Sequence, residues 1–218
     1  MRVALFSDVH GNAVALRQLL EEPGFASADM RVFLGDAVGY FPAGAEVVEV
    51  LRSTVDIGVQ GNHDAMITGA LPIDPVADQV YRLAVQLGSL NDQAQSYLAE
   101  LPRTAELSGA FLVHGSPSNP LLGRLHADTS EDAIGELTTP FVFVGQTHRP
   151  FIRRVGSSTL VNVGSVGLPR DGTAHGCYAV WDSASGEVQV HPFRLDARAI
   201  LSEYPDVHPD VRARIAER

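Results

Sequence analysis

The sequence predicts an α/β fold, and three observations carry that expectation. Short apolar runs of strand character alternate with amphipathic segments through the first third of the chain. Successive apolar runs stop abruptly at Gly, Asp, Asn, Gln or His, as strands do where an open α/β sheet meets its loops. After position 150, β-rich segments follow one another closely.

Arg2–Ser7 is a buried strand by its apolar run. Asn12–Glu22 places Ala15, Leu16, Leu19 and Leu20 at helical spacing and ends at Pro23-Gly24. Arg31–Leu34 is a second strand, Ala45–Arg52 a second helix and Val55–Gln60 a third strand. This alternation implies parallel pairing through right-handed crossovers. From Met66 to Leu101 no strand is convincing; Pro75–Leu90 and Asn91–Leu101 read as helices, with Pro102 as a stop. Strands return at Gly109–Val113 and Phe141–Val144, around an acidic helix near Ser130–Leu137. Val155–Thr159 reads as a turn, and Thr159–Val163, Cys177–Trp181 and Val188–Pro192 as an antiparallel meander. The expected organisation is one domain over 1–196, with a helical excursion at about 66–102, and a loosely packed tail over 197–218.

Composition narrows the classes. The chain has 218 residues, is 45% hydrophobic and 19% charged, and holds 20 Gly and 13 Pro, a globular profile. Its formal charge of −10 opposes long-range attraction of nucleic acid polymers or anionic lipid. The lone Cys177 excludes a disulfide framework and a thiolate metal cluster, and suits a reducing compartment. No apolar run is long enough to span a membrane, and the opening strand leaves no room for a signal peptide, so the cytoplasm is the expected location.

The polar strand ends carry the chemistry. Asp8-Val9-His10-Gly11-Asn12 follows the first strand and Gly35-Asp36 the second. Gly61-Asn62-His63-Asp64, His114-Gly115-Ser116 and Gly145-Gln146-Thr147-His148 follow the next three. Taken singly, a strand-end Asp is more often a turn or cap, and a lone His a hydrogen-bonded bystander. His126, His175, His191 and His208 are read that way. Five consecutive strand ends with ligand-type residues are hard to reconcile with chance. Oxygen and imidazole donors of this kind suit Mn, Fe, Zn or Co rather than a soft thiolate site.

In this order the motifs resemble the calcineurin-like metallophosphoesterases. GDAVGYFP at Gly35–Pro42 and VGSVGLPRDG at Val163–Gly172 are similar to its small bacterial and archaeal phosphodiesterase subgroup, and the resemblance runs from Met1 to about Pro192. It implies an αββα sandwich, two stacked mixed β-sheets flanked by helices. It implies two divalent ions, manganese favoured and Fe, Zn, Co or Ni also compatible, bridged by Asp36. Asp8, His10 and His148 would complete the first site; Asn62 and His114 would serve the second. Such a pair holds a hydroxide for in-line attack on phosphorus. By the same resemblance His63 faces the scissile phosphate, stabilising charge or protonating the leaving oxygen. Asp64 could orient that imidazole or cap a helix.

At one position the chain departs from the pattern. Gln146 stands where the family has a histidine ligand of the second ion. It could bind through its carbonyl, yield to water, or leave that site weak. Arg149 and Arg170 flank motifs and could contact phosphate or pair on the surface. Asn12 could touch phosphate, although capping the first helix is favoured. The turn at Gly164–Gly167 could present backbone N–H groups to the cleft or simply join strands. Tyr40 could contact substrate or pack. The expected activity is hydrolysis of small phosphodiesters or nucleotides. Phosphomonoesters and dinucleoside polyphosphates are the alternatives, and a binding module with an impaired second site is the non-enzyme alternative. No long nucleic acid or membrane is expected as a partner, and a homo-oligomer is compatible with the sequence.

Overall fold

A computed structural model of the chain describes residues 1–216. β1 (Arg2–Phe6) leads into α1 (Ala13–Glu21) and a single turn, α2 (Pro23–Ala26). β2 (Met30–Phe33), α3 (Gly44–Thr54), β3 (Ile57–Gly58) and α4 (Asn62–Ile67) follow, then three helices, α5 (Pro75–Tyr81), α6 (Leu83–Leu87) and α7 (Asp92–Glu100). The second half runs β4 (Thr104–Leu107), β5 (Ala110–Val113), α8 (Glu131–Ile134), β6 (Phe141–Val144), β7 (Phe151–Val155) and β8 (Ser158–Asn162). It ends with β9 (His175–Asp182), β10 (Val188–Arg194), α9 (Ala197–Glu203) and α10 (Pro209–Ala216).

The strands form two mixed five-stranded sheets, ordered β10-β9-β1-β2-β3 and β4-β5-β6-β8-β7. β1, β2 and β3 are parallel, as are β5, β6 and β8, while the outer partners are antiparallel. The two-residue period of a strand explains the layering. On β1, Val3 and Leu5 face the other sheet, where Leu112, Phe143 and Val161 meet them, and Trp181 of the neighbouring β9 joins the same layer. Ala4 and Phe6 face the opposite way, onto Leu16, Leu19 and Val47 of the helical layer. The second sheet turns Val142, Val144 and Leu160 outward against Ile134 of α8. Among the described residues no helix is long and apolar enough to cross a membrane.

Three expectations are corrected. The last three β segments do not form one meander, because β8 belongs to the second sheet and β9 to the first. The intervening segment, which carries VGSVGLPRDG, passes between the sheets and along the strand ends. Short-range strand signals are the same for a hairpin and for a chain that changes sheets, so the pattern alone could not separate them. The helix expected over Pro75–Leu90 is broken at Arg82, whose left-handed backbone (φ 61°) starts α6 on a new axis. Tyr81 just before it gives its carbonyl to the Tyr40 N–H at 2.6 Å. Finally, the C-terminal stretch is not loosely packed as far as Ala216. Ile200, Tyr204, Val207, Val211 and Ile215 join the helical core cluster, and Arg17 pairs with both Glu46 and Glu203. Residues 217 and 218 of that expected tail lie outside the described residues.

Candidate metal centre

Asp8 and His10 lie just beyond β1, Asp36 beyond β2, Asn62 and His63 at the start of α4, His114 after β5, and Gln146 and His148 after β6. The chain turns sharply as it leaves each strand. Asp8, His10, Asp36, Tyr40, Gln146 and His148 all adopt left-handed backbone, with φ between 54° and 66°. Non-glycine residues pay roughly 1–2 kcal/mol each for that conformation, and such strain concentrates at functional sites. Gly61 permits a close approach: a Cβ there would lie 2.1 Å from Asp36 Oδ1.

The imidazoles are oriented from behind. His10 Nδ1 donates to Val38 O at 3.0 Å, His114 Nδ1 to Leu34 O at 2.7 Å and His148 Nδ1 to Leu168 O at 2.5 Å. A backbone carbonyl accepts only an N–H, so these partners place the proton of each neutral ring on Nδ1 and a lone pair on Nε2. The three Nε2 atoms then converge on other acceptors. His10 Nε2 is 3.1 Å from His148 Nε2. His148 Nε2 is 3.2 Å and His10 Nε2 3.6 Å from Asp8 Oδ1. Asp36 Oδ2 is 3.7 Å from His10 Nε2 and 3.4 Å from His114 Nε2. Asn62 Oδ1 lies 3.1 Å from His114 Nε2. Asp8 Oδ1 is buried with no hydrogen-bond partner. Acceptors packed against acceptors in a dry interior repel one another unless a cation sits among them. The residues therefore fit divalent ions. Among the described residues, three ligand groups have atoms within 4.8 Å of one another: Asp8–His10–His148, His10–Asp36–His63 and Asp8–Asp36–His114.

The electrostatics agree. Burial opposes ionisation of Asp8, yet His148, His10 and His114 hold its pKa well below the usual carboxylate range. Asp36 is likewise held low against burial by His114, His63 and His10. Burial lowers His63 to about 3 and His148 to about 4. His114 is raised to about 10 despite its burial, because Asp36 lies against it. A proton on His114 Nε2 is the smallest cation that can occupy the gap between that nitrogen, Asp36 and Asn62.

The structure thus brings together Asp8, His10, Asp36, Asn62, His63, His114, Gln146 and His148, and separates other candidates from them. Gln146 donates its N–H to Asp8 Oδ2 at 3.1 Å and its Nε2 to Leu121 O at 3.4 Å, while Oε1 is buried without a partner. Asp64 does not touch the His63 imidazole. Its carboxylate accepts the N–H groups of Asp36, Ala37 and Gly61 at 2.8, 2.9 and 3.0 Å, so it fastens the Asp36 loop to the start of α4. Burial and the neighbouring Asp36 charge raise it to about 6. The orienting role considered for Asp64 is therefore corrected to a structural one. Asn12 is wholly buried, caps α1 through the Ala15 N–H and donates to Gly167 O. Its carbonyl and one amide hydrogen are committed to the fold, which corrects the substrate contact considered for it.

The two arginines diverge. Arg170 Nη2 donates to Tyr40 Oη at 2.8 Å, with its guanidinium 5.8 Å from that ring's centroid. Arg149 is exposed and donates Nε to Arg170 O. The N–H groups of Val166 and Gly167 are spent on the carbonyls of Ser7 and Asp8, so the turn grips the end of β1 and does not present them to the cleft. Sequence reasoning considered Ser165 only for its backbone, as part of the Gly164–Gly167 turn, and did not single out Asn162. Ser165 Oγ donates to Asp8 O at 2.8 Å, and Asn162 Nδ2 donates to Gly145 O and Thr147 Oγ1. The one available signal was a polar Asn inside the apolar run TLVNV.

Residues 1–186 match the family model for the calcineurin-like phosphoesterase superfamily domain. The chain belongs to that superfamily. A metallophosphoesterase from Sphaerobacter thermophilus is 30% identical and superposes with a TM-score of 0.82, covering 99% of this chain and 98% of its own. A hypothetical protein from Pyrococcus horikoshii shares the fold at a TM-score of 0.82 and 21% identity, covering 98% of this chain and 97% of its own. An uncharacterised protein of Methanocaldococcus jannaschii is 27% identical over 220 residues, 90% of this chain and 88% of its own. Together with the donor set, this makes the chain a metal-dependent phosphoesterase by family, with ligand-type residues of the kind that chemistry uses.

Proposed function

We propose that this phosphoesterase hydrolyses small phosphodiesters at a dinuclear centre. The carrying observation is the convergence of three Nε2 atoms, each ring oriented by a backbone carbonyl, on the carboxylates of Asp8 and Asp36. Asp8, His10, His148 and Asp36 would hold one ion, and Asp36, Asn62, His114 and Gln146 the other, with manganese the favoured metal. Bound there, two such ions supply Lewis-acid charge to phosphoryl oxygens and acidify water into a nucleophile.

The remaining side chains act on the ester. His63 stacks with Tyr40 at 5.2 Å and meets Tyr81 at 4.5 Å between ring centroids. Its Nδ1 is buried against Gly39, where a Cβ would come within 2.3 Å, so Nε2 is the nitrogen through which it can act. It donates a proton or hydrogen bond to the leaving oxygen. Arg170, held on Tyr40, adds positive charge at the same edge. One nearby guanidinium suits a singly charged diester better than a doubly charged monoester. The net charge of −10 also disfavours nucleic acid polymers. Cys177 is a buried thiol, which fits a cytoplasmic location.

In added manganese, kcat/KM for bis-p-nitrophenyl phosphate should exceed that for p-nitrophenyl phosphate by about tenfold or more, a difference of at least ~1.4 kcal/mol in transition-state binding. A comparable preference for the monoester would overturn the diesterase reading.

Gln146 sets a second expectation. An amide oxygen is a neutral and weaker ligand than imidazole, so the second ion should bind less tightly than the first. Gln146→His should tighten the weaker of two calorimetric manganese affinities by about 10–100-fold, the usual worth of a tuned ligand contact. Identical affinities and stoichiometry in both proteins would remove this role.

A further inference from the structure

A cavity of about 370 Å³ opens on the far side of Tyr40, between α6 and the loop joining α9 to α10. Its size falls within the range of small-molecule sites. Tyr40 is shared: it lines the cavity and also stacks on His63. An occupant therefore touches the same ring that supports the leaving-group histidine.

The walls specify what fits. Tyr40 and Tyr204 contribute aromatic surface, and Val85 at the mouth is an apolar side chain left 65% exposed. Gln86, only 2% exposed, accepts the Gly39 N–H through Oε1 at 3.1 Å, but its Nε2 has no acceptor in the protein. A buried amide left that way is unfavourable, and a ligand carbonyl or ring nitrogen would satisfy it. The charged groups of the walls offset one another: Arg82 and Asp206 are of opposite sign, and Glu203 is already paired with Arg17. Walls without an unpaired excess of positive charge offer the anionic part of a substrate no counter-ion there, and suit an uncharged group.

We propose that this cavity is the subsite for a planar, neutral heteroaromatic substituent of the diester, of the nucleoside type. The assignment rests on the phosphodiesterase reading above. It is tested with manganese-loaded protein on two esters that share a leaving group, thymidine 5′-(p-nitrophenyl phosphate) and methyl p-nitrophenyl phosphate. Thymidine binding by calorimetry adds a readout independent of turnover. The thymidine ester should be preferred by about tenfold or more in kcat/KM, chiefly through KM, and Val85→Trp should lower that ratio and thymidine affinity by about tenfold. No thymidine preference in the natural protein, or an unchanged ratio and affinity in Val85→Trp, overturns the assignment. Hydrolysis of the methyl ester without a thymidine preference removes the subsite alone. Failure to hydrolyse either ester removes the diesterase reading, and the subsite with it.

Discussion

Asp36→Asn should abolish nearly all turnover, by roughly 10³-fold or more, since metal charge is worth several kcal/mol to a phosphoryl transition state. Asp36 is the carboxylate within reach of both proposed ions. Its Oδ1 accepts the His63 N–H at 2.8 Å, and its Oδ2 faces His10 and His114. An asparagine can keep one of these roles. With its oxygen on the His63 N–H, its amide nitrogen faces the imidazole lone pairs and donates to them, in the place a cation would take. Metal content should fall below two ions per chain by elemental analysis, while far-ultraviolet circular dichroism stays unchanged. Full metal content with full activity would remove Asp36 from the bridging position.

His63→Ala is the second large effect. Loss of a positioned donor to the leaving oxygen, at pH 7 the Nε2–H of a neutral ring, should cost about 10²-fold or more in kcat. Metal content should stay intact, because Asp8, His10, His114 and His148 keep their carbonyl-oriented or carboxylate contacts. The distinction matters here, since His63 also lies within 4.8 Å ligand spacing of His10 and Asp36. If metal is lost in step with activity, His63 is a ligand and the leaving-group role is wrong. The pH dependence of kcat gives a further handle. Burial holds His63 near 3 in the free protein, so the ring is neutral at pH 7 and its loss removes no resting positive charge.

Much of this site was legible before any coordinates. Asp8, His10, Asp36, Asn62, His114 and His148 were visible because each interrupts an apolar strand at its carboxyl end, and parallel topology makes such ends neighbours. Asp64 was not separable from a catalytic residue in the same way. Its partners at Asp36 and Ala37 lie 28 and 27 positions away, and sequence spacing is silent about backbone donors that distant. Ser165 was hidden for the same reason, since it holds Asp8 O from 157 positions away.

By itself, then, the chain's local chemistry determined the alternation of strands and helices and the order in which ligand-type side chains emerge from them. Period and turn composition act over a few residues, and that suffices to write such a pattern. Tertiary structure alone decided which sheet received β8 and β9, that the C-terminal helices close over α1, and that carbonyls of Leu34, Val38 and Leu168 set the imidazole tautomers. Those outcomes depend on hydrogen bonds and burial between segments far apart in sequence, which become defined only when the two sheets stack.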